Sequence, residues 1–276
     1  MPELPEVEVT RRGLVPLLNQ TVKNIVIRNA GMRWPVPAHL PQTLYNQKLL
    51  GLRRRAKYIL ADFENGTLLL HLGMSGRLCL LDRNYPPEKH DHFDIQFHGV
   101  DGKAGQVLRL RDPRRFGAVL WAGVMPEEHP LLSVLGSEPL EDGFNAKYLH
   151  DGLRTRSAAI KVAIMDSHLV VGVGNIYASE SLFRARIHPE TPAKQLTLKQ
   201  CEKLVAEIKA TLNDALKAGG SSLRDFFGAD GNPGYFQQEY FVYGRTGELC
   251  KVCGKPIQCI RLGQRSTFFC SHCQKR

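Results

Sequence analysis

Four cysteines near the C-terminus constrain this chain more tightly than any other feature. They read Cys250-Lys-Val-Cys253 and Cys270-Ser-His-Cys273, with sixteen residues between the pairs. Two thiolates set three positions apart fit one tight knuckle, and two knuckles complete a tetrahedron around Zn2+. Because all four ligands are cysteine, no position stays open for a substrate, so the one Zn2+ expected here is structural. The intervening segment is long enough for a β-hairpin and carries Lys255, Arg261 and Arg265. A basic ribbon of this kind either faces solvent or meets phosphate. Cys259 is expected to be an ordinary strand side chain rather than a fifth ligand. Seven cysteines, five of them between 250 and 273, are clustered as a metal site is and not spread as a disulfide framework is.

The remaining 240 or so residues leave room for two modest domains. Lys and Arg total 37 against 27 Asp and Glu, a net charge of +10. That balance points to nucleic acid first and an anionic membrane surface second, with a merely basic protein as the plain alternative. No apolar run of about 18 residues occurs, so no membrane-spanning helix is expected. The acidic N-terminus lacks the pattern of a signal peptide, and a cytoplasmic protein is expected.

Along the chain the texture changes twice. Pro5, Glu6 and Glu8 suit the first turn of a helix that Pro16 ends or bends. Strand-like runs follow at 21–29, 57–63, 67–72, 92–97, 106–112 and 117–123, with Glu64-Asn65-Gly66 as a hairpin turn. These predict an antiparallel sandwich over 1–130. A Pro- and Gly-rich crossing begins near 125, and helices are expected at 146–155 (capped by Asn145), 157–170, 175–187 (capped by Asn175) and from Thr197 to Gly219-Gly220. The helical region with its following loop is placed at 131–236 and the finger at 237–276. The fold class is α+β and multidomain: an N-terminal antiparallel β-sandwich with flanking helices, a helical domain, and a zinc-finger hairpin.

Several loops carry unusual chemistry. Val170–Glu180 places Gly172 and Gly174 before a helix that begins at Asn175. Position 177 is Tyr where a dinucleotide fingerprint needs a third glycine, so no nucleotide cofactor is expected. A helix start with glycines ahead of it can hold a phosphate, or serve only as an interhelical turn. Lys57 follows Arg53-Arg54-Arg55-Ala56 and is expected at a strand start. HLGMSG (71–76) sets Met74 between glycines, DPRRFG (112–117) sets Arg114 and Phe116 at a turn, and KHDHFD (89–94) adds His90. Singly these are surface features. Together they supply apolar wedges and a cation, as a DNA-distorting protein requires.

MPELPE at the N-terminus, RRAKY (54–58), HLGMSG, EKHDH (88–92), DPRRFG, VVGVGNIYASESLF and the four-cysteine finger, in this order along the whole chain, resemble bacterial formamidopyrimidine-DNA glycosylases. Leu4 is similar to that branch, whereas the sister endonuclease VIII enzymes typically read MPEGPE. The one departure from the N-terminal motif is Val9, where the family usually has Thr.

The resemblance implies a helix–two-turn–helix domain and a bifunctional base-excision enzyme. That enzyme excises oxidised purines such as 8-oxoguanine and formamidopyrimidines, then cleaves the strand by β,δ-elimination. It implies Pro2, freed by removal of Met1, as a Schiff-base nucleophile, with Glu3 as proton donor and Glu6 holding either in place. Lys57 and Arg265 are implied in elimination and phosphate contact. Met74, Arg114 and Phe116 are implied in the gap left by a flipped nucleotide, and His90, Asn175, Lys161 and Arg156 on phosphates. A lesion-reading loop is implied around Ser221 and Ser222. The partner is damaged double-stranded DNA, and the protein is expected to act as a monomer without a membrane. Two other readings stay open from sequence: an oxidised-pyrimidine glycosylase of the endonuclease VIII type, and a non-catalytic zinc-finger DNA-binding protein.

Overall fold

The computed structural model describes residues 2–99, 105–220 and 240–275. The chain divides into two compact units: Met1–Ser133 together with the segment that begins at Ala218, and Val134–Lys217 together with Gln238–Arg276.

The first unit opens with α1 (Leu4–Gly13) and a single 3-10 turn over Val15–Leu17. Pro16 lacks the N–H that would continue the α-helix, which accounts for the change of winding. Two four-stranded antiparallel sheets follow. One runs β1 (Val22–Ile27), β6 (Asp91–Phe97), β7 (Gln106–Arg111), β5 (Arg77–Asp82); the other runs β2 (Leu49–Arg55), β3 (Tyr58–Phe63), β4 (Gly66–His71), β8 (Ala118–Gly123). The short α2 (Leu40–Leu44) and α3 (Pro130–Ser133) complete the unit. Alternate residues of the strands form one core: Ile59, Ala61 and Phe63 of β3, Leu68 and Leu70 of β4, Phe93, Ile95 and Phe97 of β6, Leu108 and Leu110 of β7. This period of two is what a sheet buried on one face demands. Val7, Leu14 and Leu17 pack on the same cluster, so the start of the chain is anchored in the core.

The hairpin expected at Glu64-Asn65-Gly66 joins β3 to β4, with Phe63 opposite Gly66. Gly66 holds φ at +145°, and a Cβ there would meet Trp121 at 2.7 Å and Gly123 at 2.8 Å. Strands β2 and β5 are additions to the sequence-based expectation. Arg53–Arg55 is strand rather than loop, and Ala56-Lys57 is the two-residue turn to β3, with Ala56 at φ +54°. Lys57 therefore stands at a hairpin tip and not at a strand start.

The second unit contains α4 (Ala146–Leu153), α5 (Ile160–Ile164), α6 (Asn175–Ala185) and α7 (Leu198–Lys217), then the finger hairpin β9 (Gln258–Leu262) and β10 (Arg265–Phe269). Asn145 caps α4 as expected, its Oδ1 accepting the Tyr148 N–H at 3.0 Å. Thr197 and Gln200 bond reciprocally at the start of α7, and Gly219 and Gly220, at φ +79° and +88°, follow its end. The helix expected over 157–170 is only the five residues of α5. Leu169–Gly174 runs non-helically through the interior, with Val170 in a parallel bridge to Ser137. Its apolar residues are buried on all sides, which periodicity alone cannot separate from a helix. Asn175 is the first residue of α6, and Gly174 occupies the cap position assigned to Asn175 from sequence.

Candidate functional site

Pro2 and Glu3 precede α1 and are buried; Glu3 is 2 % exposed and Glu6 0 %. Glu3 and Glu6 form a capping box in which Glu6 Oε2 accepts the Glu3 N–H at 2.8 Å. Thr10 Oγ donates to the Glu6 carbonyl at 2.9 Å and secures the next turn. Two carboxylates thus sit at the positive end of the helix, where its unpaired N–H groups favour them.

Elsewhere in this unit three loops converge. The β4–β5 loop carries Met74, half-buried, and the β7–β8 loop carries Arg114 and Phe116, both exposed. Arg114 Cζ lies 4.7 Å from the centre of the Phe116 ring. The two loops touch backbone to backbone: a Cβ on Gly73 (φ +62°) would collide with the Phe116 carbonyl group. Asp112 N–H donates to the His90 carbonyl at 3.0 Å, which brings the β5–β6 loop to the same place. Hence Met74, Arg114, Phe116 and His90 share one side of the sandwich. Phe116, 41 % exposed, and the partly exposed Met74 thus present apolar surface to solvent beside an arginine.

His71, at the end of β4, joins the site without having been singled out from sequence. Its Nδ1 accepts the Gly73 N–H at 3.0 Å, and its ring lies 4.8 Å from that of Tyr58. Burial, then the charges of Lys57 and Arg33, push its pKa down to about 4, so the ring is neutral at pH 7. A histidine ending the apolar run TLLL is the available signal.

In the second unit Lys161 and Asn175 come together with the finger. Lys161 is 1 % exposed, and its ammonium donates to Asn175 Oδ1 (2.6 Å), the Ser266 carbonyl (3.0 Å) and Thr267 Oγ (2.7 Å). Asn175 Nδ2 also donates to the Ser266 carbonyl at 3.0 Å. Lys161, which the resemblance assigns to phosphate, is thus a buried bridge inside the unit. It ties the start of α6 to the strand that begins at Arg265. Arg265 is exposed and follows the tight turn Gly263-Gln264, whose φ values of +51° and +65° fit a two-residue hairpin loop. Arg156 lies apart from this cluster: it pairs with Asp166 at 2.5 Å and donates to the Gly152 carbonyl at 3.2 Å. Burial opposes the ionised form of Asp166, but the His168 N–H and Arg156 outweigh it and hold its pKa at about 2. Ser221 and Ser222 lie outside the described residues.

The sulfurs of Cys250, Cys253, Cys270 and Cys273 all lie within 4.8 Å of one another; Cys250–Cys273 is 3.9 Å and Cys253–Cys270 3.4 Å. Zn–S bonds of about 2.3 Å in a tetrahedron need S···S edges of roughly 3.8 Å, so the cluster fits that ion. Burial works to raise the Cys250 thiol, yet the Val252 and Cys253 N–H groups bring it down to about 7, favouring the thiolate. Gly254, at φ +71°, turns the first knuckle and donates to the Cys250 carbonyl at 2.9 Å. The Gln274 side chain accepts the Cys270 N–H and donates to the Ile187 carbonyl, both at 2.9 Å, fastening the second knuckle to the end of α6. Cys259 stands exposed on β9, as a strand side chain.

Comparison with known proteins gives a consistent result. The family model of the formamidopyrimidine-DNA glycosylase N-terminal domain matches residues 1–119, that of the corresponding H2TH domain 135–227, and the zinc finger found in FPG and IleRS 247–276. A formamidopyrimidine-DNA glycosylase of Methylobacillus flagellatus is 70% identical over 275 residues, covering all of this chain and 97% of that protein. One from Aromatoleum aromaticum is 54% identical over the full length of both. The crystal structure of MutM (FPG) from Thermus thermophilus superposes with a TM-score of 0.87 at 36% identity, covering 99% of this chain and 98% of that one. Lactococcus lactis Fpg in complex with abasic-site DNA gives 0.90 at 35% identity, covering 99% of this chain and all of that one. The same enzyme with Fapy-dG-containing DNA gives 0.89 at 34%, with the same coverage.

Proposed function

From the premise that this chain belongs to the formamidopyrimidine-DNA glycosylase family, we propose that it is a bifunctional DNA glycosylase and abasic-site lyase that excises oxidised purines, 8-oxoguanine and formamidopyrimidines among them. The observation that carries the reading is the proline at position 2 beside a buried carboxylate on the capped start of α1.

Removal of Met1 makes Pro2 a secondary amine. Unperturbed α-amino groups titrate near pH ~8, so a substantial neutral fraction exists near neutral pH. The nitrogen lone pair attacks the sugar C1′ and the bond to the damaged base breaks. Glu3, one residue on, gives its proton to the ring oxygen as the sugar opens, leaving an iminium. The iminium withdraws electrons and makes the C2′ proton acidic. Its loss expels the 3′ phosphate, and a second elimination expels the 5′ phosphate. Glu6 holds the Glu3 backbone through the capping bond. Lys57 and Arg265 act on the phosphates during elimination, and His90 and Asn175 fix the strand. Arg156 makes an outer contact, exchanging Asp166 for phosphate. Met74 and Phe116 enter the space vacated by the flipped nucleotide, with Arg114 pairing toward the orphaned base. Lys161 acts at one remove, by keeping Asn175 and the Arg265 strand in place. The four-cysteine site binds one Zn2+ that folds the finger.

We divide the labour as chemistry in 1–130, strand binding and lesion reading in 131–236, with Ser221 and Ser222 in the reading loop, and phosphate grip in 237–276. Among the described residues no helix is long and apolar enough to cross a membrane. We place the enzyme in the bacterial cytoplasm, held to the nucleoid by DNA.

Borohydride trapping on a duplex with 8-oxoguanine opposite cytosine tests the proposal. A covalent adduct is expected from protein lacking Met1, much less from Pro2→Gly, whose primary amine cannot form the same iminium, and much less excision from Glu3→Gln. Unaltered protein that traps nothing would refute it, and faster excision of thymine glycol would move it to the oxidised-pyrimidine class.

A further inference from the structure

We infer that Asp112 and Ser75 are positioning residues for nucleotide flipping, because they lock the loops bearing Met74, Arg114 and Phe116 into one rigid wedge. The inference rests on the role proposed for those three residues.

Asp112 is 0 % exposed and directly follows β7. Its Oδ1 accepts the Ser75 hydroxyl at 2.8 Å and the Arg114 N–H at 3.2 Å, and its Oδ2 accepts the Gly117 N–H at 2.8 Å. Its carbonyl accepts the Arg115 N–H at 3.2 Å and faces His92 Nε2 at 2.9 Å, while its N–H donates to the His90 carbonyl. One residue thus bonds to the β4–β5 loop, both ends of the β7–β8 loop, and the end of the β5–β6 loop. Arg115 is held at φ +58°, a conformation a non-glycine residue adopts only when its surroundings impose it.

The wedge loops are fastened at two points. At one, Gly73 lies against Phe116 so closely that no side chain fits. At the other, Ser75 reaches Asp112. Met74 lies between the two fastenings and cannot move independently of Phe116. A wedge that holds a base stack open carries load, and a single attachment would let it pivot. Asparagine cannot reproduce these bonds, because its NH2 group would face the Gly117 N–H in one orientation and the Arg114 N–H in the other.

The test measures duplex opening by stopped-flow fluorescence of 2-aminopurine beside 8-oxoguanine, using the full-length zinc-loaded protein. Ser75→Ala is expected to slow opening about tenfold, equivalent to ~1.4 kcal/mol of barrier and the worth of one net hydrogen bond. Ser75→Thr should restore it. Borohydride trapping on a single-stranded abasic oligonucleotide, which has no stack to open, should be unchanged in Ser75→Ala, showing that the fold and the Pro2 chemistry are intact. If Ser75→Ala and Asp112→Asn open the duplex at the unaltered rate while Met74→Ala slows it, the inference is wrong and the wedge stands. If Met74→Ala and Phe116→Ala also open it at the unaltered rate, the wedge reading falls and takes the inference with it.

Discussion

Replacing Lys161 by methionine keeps the length and the apolar stem of a side chain that is 1 % exposed but removes the ammonium. Of the acceptors it leaves, the Ser266 carbonyl keeps its bond from Asn175 Nδ2, whereas Thr267 Oγ, which itself donates to the Arg265 carbonyl at 3.3 Å, loses the donor it accepted from. Asn175 Oδ1 loses a 2.6 Å bond from a charged donor. Bonds to charged groups are worth ~1.5–3 kcal/mol each, and each buried acceptor left unpaired costs ~1–3 kcal/mol. Methionine recovers part of this by avoiding the burial of a charge, which leaves a net loss of about 3 kcal/mol. For a unit of this size that lowers the melting temperature by roughly 10 °C. Calorimetry should show one transition displaced and the other unmoved, because Lys161 is internal to the second unit. Bound zinc should remain at one equivalent, and affinity for abasic DNA should fall because Asn175 and the Arg265 strand lose their common support. A variant that melts within about 1 °C of the unaltered protein and binds DNA equally well would refute the argument, since no net loss above ~0.5 kcal/mol could then be present.

Other expectations are as direct. Stripping zinc with a chelator should abolish strand nicking by unfolding the finger, and added Zn2+ should restore it; nicking that survives full metal loss, measured by atomic absorption, would contradict this. Affinity should fall linearly with salt on logarithmic axes, and Arg265→Gln should reduce that slope by about 1 by removing one phosphate contact, as read by fluorescence anisotropy. The His71 pKa is held at about 4 in the fold, against an ordinary value of 6.5. The unfolded state therefore binds the extra proton, and stability falls as pH drops from 6.5 toward 4. Urea unfolding of His71→Gln should show a shallower loss over that interval than the unaltered protein, and identical slopes would dismiss the burial argument.

Local chemistry makes some elements legible and hides others. The hairpin at Glu64-Asn65, the caps at Asn145 and Thr197, and the cysteine knuckles are readable because each rests on a few adjacent residues whose backbone needs are specific. Strand β2 is hidden because Arg53–Arg55 looks like a solvated loop. It is an edge strand, where charge is tolerated and useful, and Arg53 pairs with Asp62 at 2.7 Å on its neighbour. The segment after α5 looks helical because its apolar residues are buried all round, a state that carries no period. The assignment of Lys161 to phosphate comes from the resemblance alone, and its bridging bonds leave no trace in the neighbouring sequence. Its partners Ser266 and Thr267 lie more than a hundred residues away, beyond the reach of any local pattern. For the same reason Asp112 draws no attention in the sequence: its role is a sum of contacts from three loops.

The carboxylate of Glu180 on α6 has a different kind of consequence. It accepts three consecutive backbone N–H groups, from Phe241 at 2.8 Å and from Val242 and Tyr243 at 2.9 Å, just ahead of the finger. The acceptor is made first, 61 residues before Phe241. At synthesis rates of ~5–20 residues per second the interval is roughly 3–12 s, ample for α6 and α7 to pack before the finger emerges. The expected order of assembly therefore runs from α6 to the finger: the Glu180 carboxylate is in place to receive the backbone of 241–243 before the four thiols gather for their ion.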